Sequence, residues 1–409
     1  MELYRRENYL KKIRAFYHAS DLIKVITGVR RSGKSSLMQT IADELRENGV
    51  NVSNIIYLDL DKRGNKSIKT ADALEELIES QGTASGVKYL FIDEIQNVKN
   101  FEEVINGFRA DGDWSIFITG SNSYLLSGEI VTKLTGRYLE FEIFPLTFDE
   151  YEGMKKFYGK HNDSNPEIEL RNYILESGFP RAVQLDNLAD KRLYVSGIVQ
   201  EIFEKDIRRR VKVRNKETFE IVRKYIINNY GATTSVNNIC NSLKANGYTI
   251  SKETISRYIN VLLEAKILYE CDRFDMKSKR SLSGEKKFYL ADLGFFFADN
   301  TDNQINFGPA LENIVYTYAR AHDCSVSVGR IGKLECDFIM RNREMNYSYV
   351  QVAYTILSSK ETEDREYRSL EMIKDNYPRY VLTTDFLMQK RNGINHVNIM
   401  EFMVEGKEF

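Results

Sequence analysis

Proline is scarce in this 409-residue chain: there are five, and no stretch of low complexity. That leaves little room for long linkers, so the chain reads as folded modules joined by short connections. Cysteine is scarce as well. Cys240, Cys271, Cys324 and Cys336 lack metal-ligand spacing, which argues against a zinc module or a disulfide scaffold and points to a reduced, cytoplasmic setting. No apolar run approaches the ~20 residues of a membrane span, so no membrane partner is expected. The start, MELYRRENYL, carries charges where a signal peptide would need an apolar core. An excess of charge of either sign is missing too. At a formal net charge of −1 the chain exerts no global pull on nucleic acid, and any DNA contact must come from a local basic patch. The length is too great for one core and suggests roughly two to four domains.

What is present is sharper. Gly28-Val29-Arg30-Arg31-Ser32-Gly33-Lys34-Ser35 has the GxxxxGK[ST] spacing of a phosphate-binding loop. An apolar strand, Leu22–Ile26, precedes it, and a helical pattern from Ser36 to Leu45, closed by Gly49, follows. Glycines at Gly28 and Gly33 let backbone N–H groups turn inward around phosphates, and the helix points its positive end at them. Lys34 is placed to reach the β/γ-phosphates, and the Ser35 hydroxyl to hold Mg²⁺, with Arg30 and Ser36 lining the same loop. The chain is expected to bind a nucleoside triphosphate, ATP, with Mg²⁺.

A second apolar strand, Val87–Ile92, ends in Asp93-Glu94. The C-terminal end of a buried parallel strand faces the ligand crevice. Asp93 is the expected Mg²⁺ partner, and Glu94 the residue that polarises the attacking water. A third strand, Asn54–Leu60, lies between the two motifs, and a fourth, Ser115–Gly120, ends in Ser121-Asn122-Ser123. Asn122 or Ser121 is then a candidate for sensing the γ-phosphate, or else a polar helix cap.

The segments GVRRSGKSSL, YLFIDEIQNV, FITGSNSYLL, LTGRYLEFEIFPLTFDEY and SGFPRAV together resemble a large prokaryotic group of AAA-type ATP-binding proteins. In that group the ATPase is followed by a winged helix and a restriction-endonuclease-like domain. The resemblance implies an α/β fold: a P-loop AAA-type parallel sheet with a helical lid, then a winged helix and a degenerate nuclease-like α/β domain. It divides the chain into an ATPase core at 1–150, a lid at 151–210, a winged helix at 211–300 and a nuclease-like domain at 301–409. It also implies that the strand inserted at Asn54–Leu60 marks the additional-strand, catalytic-glutamate division. Arg137, after Gly136, is either a finger reaching a neighbouring subunit's γ-phosphate or a salt-bridged structural arginine. Gly178, Pro180 and Arg181 resemble the lid element that touches the nucleotide, and Tyr4–Glu7 borders the adenine.

Three amphipathic helices are read at 217–229, 235–246 and 251–266, followed by strands at Ile267–Glu270 and Lys287–Leu290 around a polar loop at 277–284. That is the winged-helix order. Lys252, Ser256, Arg257 and Asn260 fall on the face of the third helix away from its apolar stripe, as a recognition helix needs. Lys277, Lys279 and Arg280 would form a basic wing, and Arg208–Lys216 is the densest positive run. Either duplex or branched DNA, or a protein, could be the partner of this face. In the last segment Glu312, Asp337 and Gln351 follow the order of the PD-(D/E)xK nucleases, but Gln351 stands for a carboxylate and Ala353 for the lysine. Little or no nuclease activity is expected there.

The overall expectation is an ATP hydrolase that remodels duplex or branched DNA by branch migration or helicase-like action, as a homo-oligomer such as a hexameric ring. The alternative is a nucleotide-dependent switch or scaffold for a protein partner in defence or signalling.

Overall fold

The computed structural model describes residues 2–120, 134, 136–208, 215–277, 280–300, 304–332 and 334–409, with the backbone alone for 280–283. The chain divides into two compact units, Met1–Phe144 and Pro145–Phe409.

The first unit is a parallel five-stranded sheet between helices. Helix α1 (Glu7–Ile13) leads to strand β1 (Ile23–Thr27), helix α2 (Lys34–Glu47), β2 (Ile55–Asp59), α3 (Ala71–Gln81) and β3 (Lys88–Asp93). Helix α4 (Phe101–Asp111), β4 (Trp114–Thr119) and β5 (Tyr138–Glu142) complete it. The strand order is β2-β3-β4-β1-β5, every pair parallel. The strand that separates the phosphate-loop strand from the acid-tipped strand is therefore β4. The segment read as the inserted strand, β2, lies at the sheet edge. Chain order and spatial order differ because each parallel connection must cross over the sheet.

Burial on both faces explains the near-continuous apolar runs. One face packs Ile56, Leu58, Leu90, Ile92, Ile116 and Ile118 against α3 and α4 through Leu74, Ile78, Phe101 and Ile105. On the other, Phe91 stacks on Phe117 with ring centroids 4.7 Å apart. Because all strands point one way, Thr27, Asp59, Asp93 and Thr119 end on the same edge of the sheet, where such folds bind ligands.

The second unit begins with helices α5 (Phe148–Phe157), α6 (Pro166–Glu176) and α7 (Leu188–Ile202). Three more follow: α8 (Lys216–Asn228), α9 (Val236–Ala245) and α10 (Lys252–Glu264), each within two residues of its expected bounds. Strand β6 (Thr233–Thr234) lies between α8 and α9, and the long hairpin β7 (Leu268–Asp275) and β8 (Arg280–Leu290) follows α10. The stretch from Arg280 to Gly284, read as loop, is strand in the structure. The reason lies outside the hairpin. Its far end is supported by β9 (Ser325–Ile331), which pairs in parallel with β7 from Arg273 to Asp275. Helix α11 (Phe307–Ala321) precedes β9, and β10 (Leu334–Arg341), β11 (Tyr347–Val352), α12 (Lys360–Glu371), β12 (Arg379–Thr383), β13 (Lys390–Arg391), β14 (Ile394–Asn398) and α13 (Ile399–Val404) follow. The result is one nine-stranded sheet, β13-β14-β12-β11-β10-β9-β7-β8-β6, shared by the hairpin and the C-terminal strands.

Candidate active site

The phosphate loop is built from backbone that only glycine accepts at its first position. Gly28 has φ 137°, and a Cβ there would come within 2.1 Å of the Ile143 carbonyl oxygen. Gly33 caps α2 in the left-handed region at φ 103° with no side chain over the helix end. The first N–H groups of α2 are thus left facing the loop, which is the geometry of an anion cradle. Lys34 is buried and folded over the loop, its Nζ donating to the carbonyls of Gly28 at 2.8 Å and Val29 at 3.2 Å. A ligand phosphate would offer the same ammonium a charged acceptor.

Arg6, part of the segment read as an adenine border, is a strut instead of an open surface group. It is buried and donates to the carbonyls of Ser32 at 3.0 Å and Phe144 at 2.8 Å.

The acids gather at the neighbouring strand tips. Asp93 is buried and accepts a hydrogen bond from the Thr119 hydroxyl. Burial pushes its carboxyl above the usual range, Ser35 and Thr119 pull it back, and the charges of Glu94 and Asp59 add to the rise. Ser35, expected from the sequence to share a metal with Asp93, lies near enough to lower that carboxyl. Glu94 holds a left-handed backbone at φ 58°, turning its side chain out of strand direction. Its carboxylate lies 3.7 Å from Arg30 Nη1 and accepts from Gln96 Nε2 at 2.5 Å. Arg30 thus reaches Glu94, Ser35 influences Asp93, and Lys34 lies over the loop at the same edge of the sheet.

Sequence reasoning missed Thr119 and Gln96. Thr119 is the last residue of β4 and fully buried; it lies two and three positions before the two residues chosen as sensor. Those residues, Ser121 and Asn122, lie outside the described residues. Arg137 is exposed and leads into β5, its carbonyl accepting from Ile23 N–H at 2.9 Å.

In the second unit, Gly178 has a packing reason: a Cβ would meet the Leu146 carbonyl oxygen at 2.5 Å. Its N–H donates to Asp292 at 2.7 Å, and Asp292 also accepts from Gly294 N–H at 2.7 Å. Burial raises the Asp292 carboxyl against these bonds. Pro180 opens a short helical turn, and Arg181 is exposed, donating to Gln184 at 2.5 Å.

On α10, Lys252, Arg257 and Asn260 are exposed and Ser256 is half-buried, while Ile255, Tyr258, Ile259 and Leu262 are buried. Ser251 caps the helix, its hydroxyl accepting from Thr254 N–H at 3.3 Å. Lys277 is exposed at the hairpin tip. Lys279, the Arg280 side chain and residues 209–214 of the basic run lie outside what is described, whereas Arg208 pairs with Glu204 at 2.8 Å.

Glu312, Asp337 and Gln351 stand on α11, β10 and β11. Among the described residues no three His, Cys, Asp or Glu side chains are arranged to hold a metal ion, and no helix is long and apolar enough to cross a membrane.

A parallel sheet in this strand order, with the phosphate-loop strand one strand removed from the acid-tipped strand, defines an AAA-type P-loop protein. Residues 20–152 match an AAA domain, and residues 167–303 match a domain of unknown function, DUF8612. An uncharacterized protein of Haemophilus influenzae is 33% identical over 405 residues, which is 98% of this chain and 98% of that one. A second, from Methanocaldococcus jannaschii, is 31% identical over 366 residues, covering 86% of this chain and 79% of its own. The chain belongs to this family of AAA-domain proteins. A Walker-type ATPase of Pyrococcus abyssi shares the fold, with a TM-score of 0.51 at 16% identity over 73% of this chain and 96% of that one.

Proposed function

We propose that this protein hydrolyses ATP at the Gly28–Ser35 loop and uses the cycle to bind and remodel duplex or branched DNA as a homo-oligomer. The observation that carries the reading is the meeting of Lys34, Ser35, Asp93 and Glu94 at one edge of the parallel sheet. Mg²⁺, held by Ser35 and Asp93, would neutralise charge on the phosphates. Lys34 leaves its two carbonyl partners for the phosphates, and Glu94 accepts the proton of the attacking water. Thr119 keeps the Asp93 carboxylate turned toward Ser35. Asn122 reads the γ-phosphate, and Arg137 completes the site of a neighbouring subunit. Gly178, Pro180 and Arg181 belong to the lid, in the segment 151–210.

The DNA-facing surface is the winged-helix segment. Exposed Lys252, Arg257 and Asn260 offer cations for phosphate and an amide for base edges, with Lys277, Lys279 and Arg280 on the wing. The nuclease-like segment contributes no cleavage, because Gln351 and Ala353 replace a carboxylate and the lysine that would steady the reacting oxygens.

The test is an ATPase assay with single-stranded, duplex and four-way-junction DNA at two salt concentrations. Turnover stimulated by one DNA form, with binding that weakens steeply as salt rises, supports the reading. Slow turnover indifferent to every DNA overturns the DNA arm and favours a nucleotide-dependent switch for a protein partner.

A further inference from the structure

The acidic residues of the C-terminal strands face a cation that belongs to the chain itself. Lys287 lies on β8 and is 5% exposed. Its Nζ is 3.0 Å from Glu312 Oε2 and 3.1 Å from Glu335 Oε1. Tyr289, two residues along the same strand, donates its hydroxyl to the same Glu312 oxygen at 2.9 Å. From β7, Arg273 reaches the other Glu335 oxygen at 2.9 Å.

The inner acid has a backbone partner. Asp337 Oδ2 accepts from the Val352 N–H at 2.8 Å, and the Asp337 N–H donates to Gln351 Oε1 at 3.4 Å. Gln351 Nε2 donates to Glu366 at 3.0 Å, and Arg365 pairs with the other Glu366 oxygen at 2.7 Å.

The balance of charge favours the ammonium. Burial alone would lower the Lys287 ammonium, but Glu312, Asp337 and Glu335 outweigh it and hold it above its ordinary value. Burial, reinforced by Glu312, pushes the Asp337 carboxyl well above the carboxylate range. A hard divalent ion takes several oxygen ligands, and here two of the nearest carboxylates already hold the lysine.

We propose that Lys287 is the resident cation of the Glu312–Glu335–Asp337 cluster and fastens the β7–β8 hairpin to the C-terminal strands without a metal ion. Glu335 and Lys287 were invisible to motif reading, which sought a lysine two residues after Gln351. The structure supplies one from a strand 64 positions upstream in another module, by the numbering of Lys287 and Gln351.

Deleting one partner of a buried ionic cluster leaves uncompensated charge. Lys287→Met should therefore create what the wild type lacks. Mn²⁺ binding to the full-length, nucleotide-free chain would be measured for wild type, Asp337→Asn, Lys287→Met and the double variant. The proposal expects wild type and Asp337→Asn to bind Mn²⁺ alike, with melting of the wild type unmoved by EDTA. Lys287→Met is expected to gain at least about tenfold in Mn²⁺ affinity, lost again in the double variant, while Lys287→Arg behaves as wild type. A Mn²⁺ site in the wild type that disappears in Asp337→Asn overturns the proposal, whether or not Lys287→Met folds. So does a folded Lys287→Met that gains no Mn²⁺ affinity.

Discussion

Thr119 and Asp93, the last residues of adjacent parallel strands, are joined by a hydrogen bond from the threonine hydroxyl to the aspartate carboxylate. The same hydroxyl oxygen accepts from the Glu94 N–H at 3.4 Å, so one side chain addresses both acids of the site. Removing it should change the acid chemistry more than the nucleotide affinity. The Thr119 bond lowers the Asp93 carboxyl, and burial raises it. In Thr119→Val the carboxyl therefore rises further, and the acid limb of the pH–kcat profile moves to higher pH. We expect kcat at neutral pH to fall roughly tenfold, as for loss of about 1.4 kcal/mol, with Thr119→Ser restoring it. An unmoved acid limb would separate Thr119 from the chemistry.

Glu94→Gln is expected to keep ATP binding and to lower kcat by about 10²–10⁴, the usual worth of a positioned proton acceptor. Lys34→Ala is expected to weaken binding and turnover together, because in the proposed site its ammonium serves the bound phosphates throughout. Equilibrium binding of a fluorescent ATP analogue beside steady-state hydrolysis separates the two patterns.

Lys24 gives the first unit a pH signature. Lys24 is buried on β1, and its Nζ donates to the carbonyls of Ala19 and Leu22 and to Ser115 Oγ on β4. Burial lowers its ammonium from 10.5 to about 7. Between those values the unfolded chain binds the extra proton, so stability rises with pH, by up to ~1.4 kcal/mol per pH unit. Below about pH 7 both states are protonated and the dependence on this group vanishes. Melting of the wild type between pH 7 and 10 should show the rise, and Lys24→Met should flatten it. The same slope in Lys24→Met would assign the effect elsewhere.

Arg257 and Lys252 project from α10 on the side opposite its buried stripe. If they meet phosphates, each alanine substitution should weaken DNA binding across all sequences and reduce the salt slope by about 1. Asn260→Ala should instead relax sequence or structure preference with little change in salt slope. Titrations at several salt concentrations distinguish the two kinds of contact.

The parts of the molecule that were legible in the sequence are those whose chemistry is contiguous. Gly28–Ser35 is one uninterrupted loop, and β3 carries its two acids at its own end, so strand, loop and carboxylates could be read without knowing what lies beside them. The helices α8 to α10 were legible because each has its own apolar stripe and polar cap. What escaped depends on pairing between distant segments. Thr119 matters because β4 lies against β3, and nothing in the local string Phe117-Ile118-Thr119 marks that neighbour. Likewise the parallel pairing of Arg273–Asp275 with Val328–Arg330 has no local signal. That pairing supports the strand found where a loop was expected, and Lys287 meets Glu312 where α11 packs on β8.

The shared sheet also bears on how this architecture can be divided. A fragment ending after β8 would leave the far half of β7 as an open edge, with the N–H and C=O groups that now meet β9 exposed to other chains. Arg273 and Lys287 would lose Glu335, and Lys287 also Glu312, at that same border. A gene fusion or truncation there would release an aggregation-prone strand instead of a free-standing module.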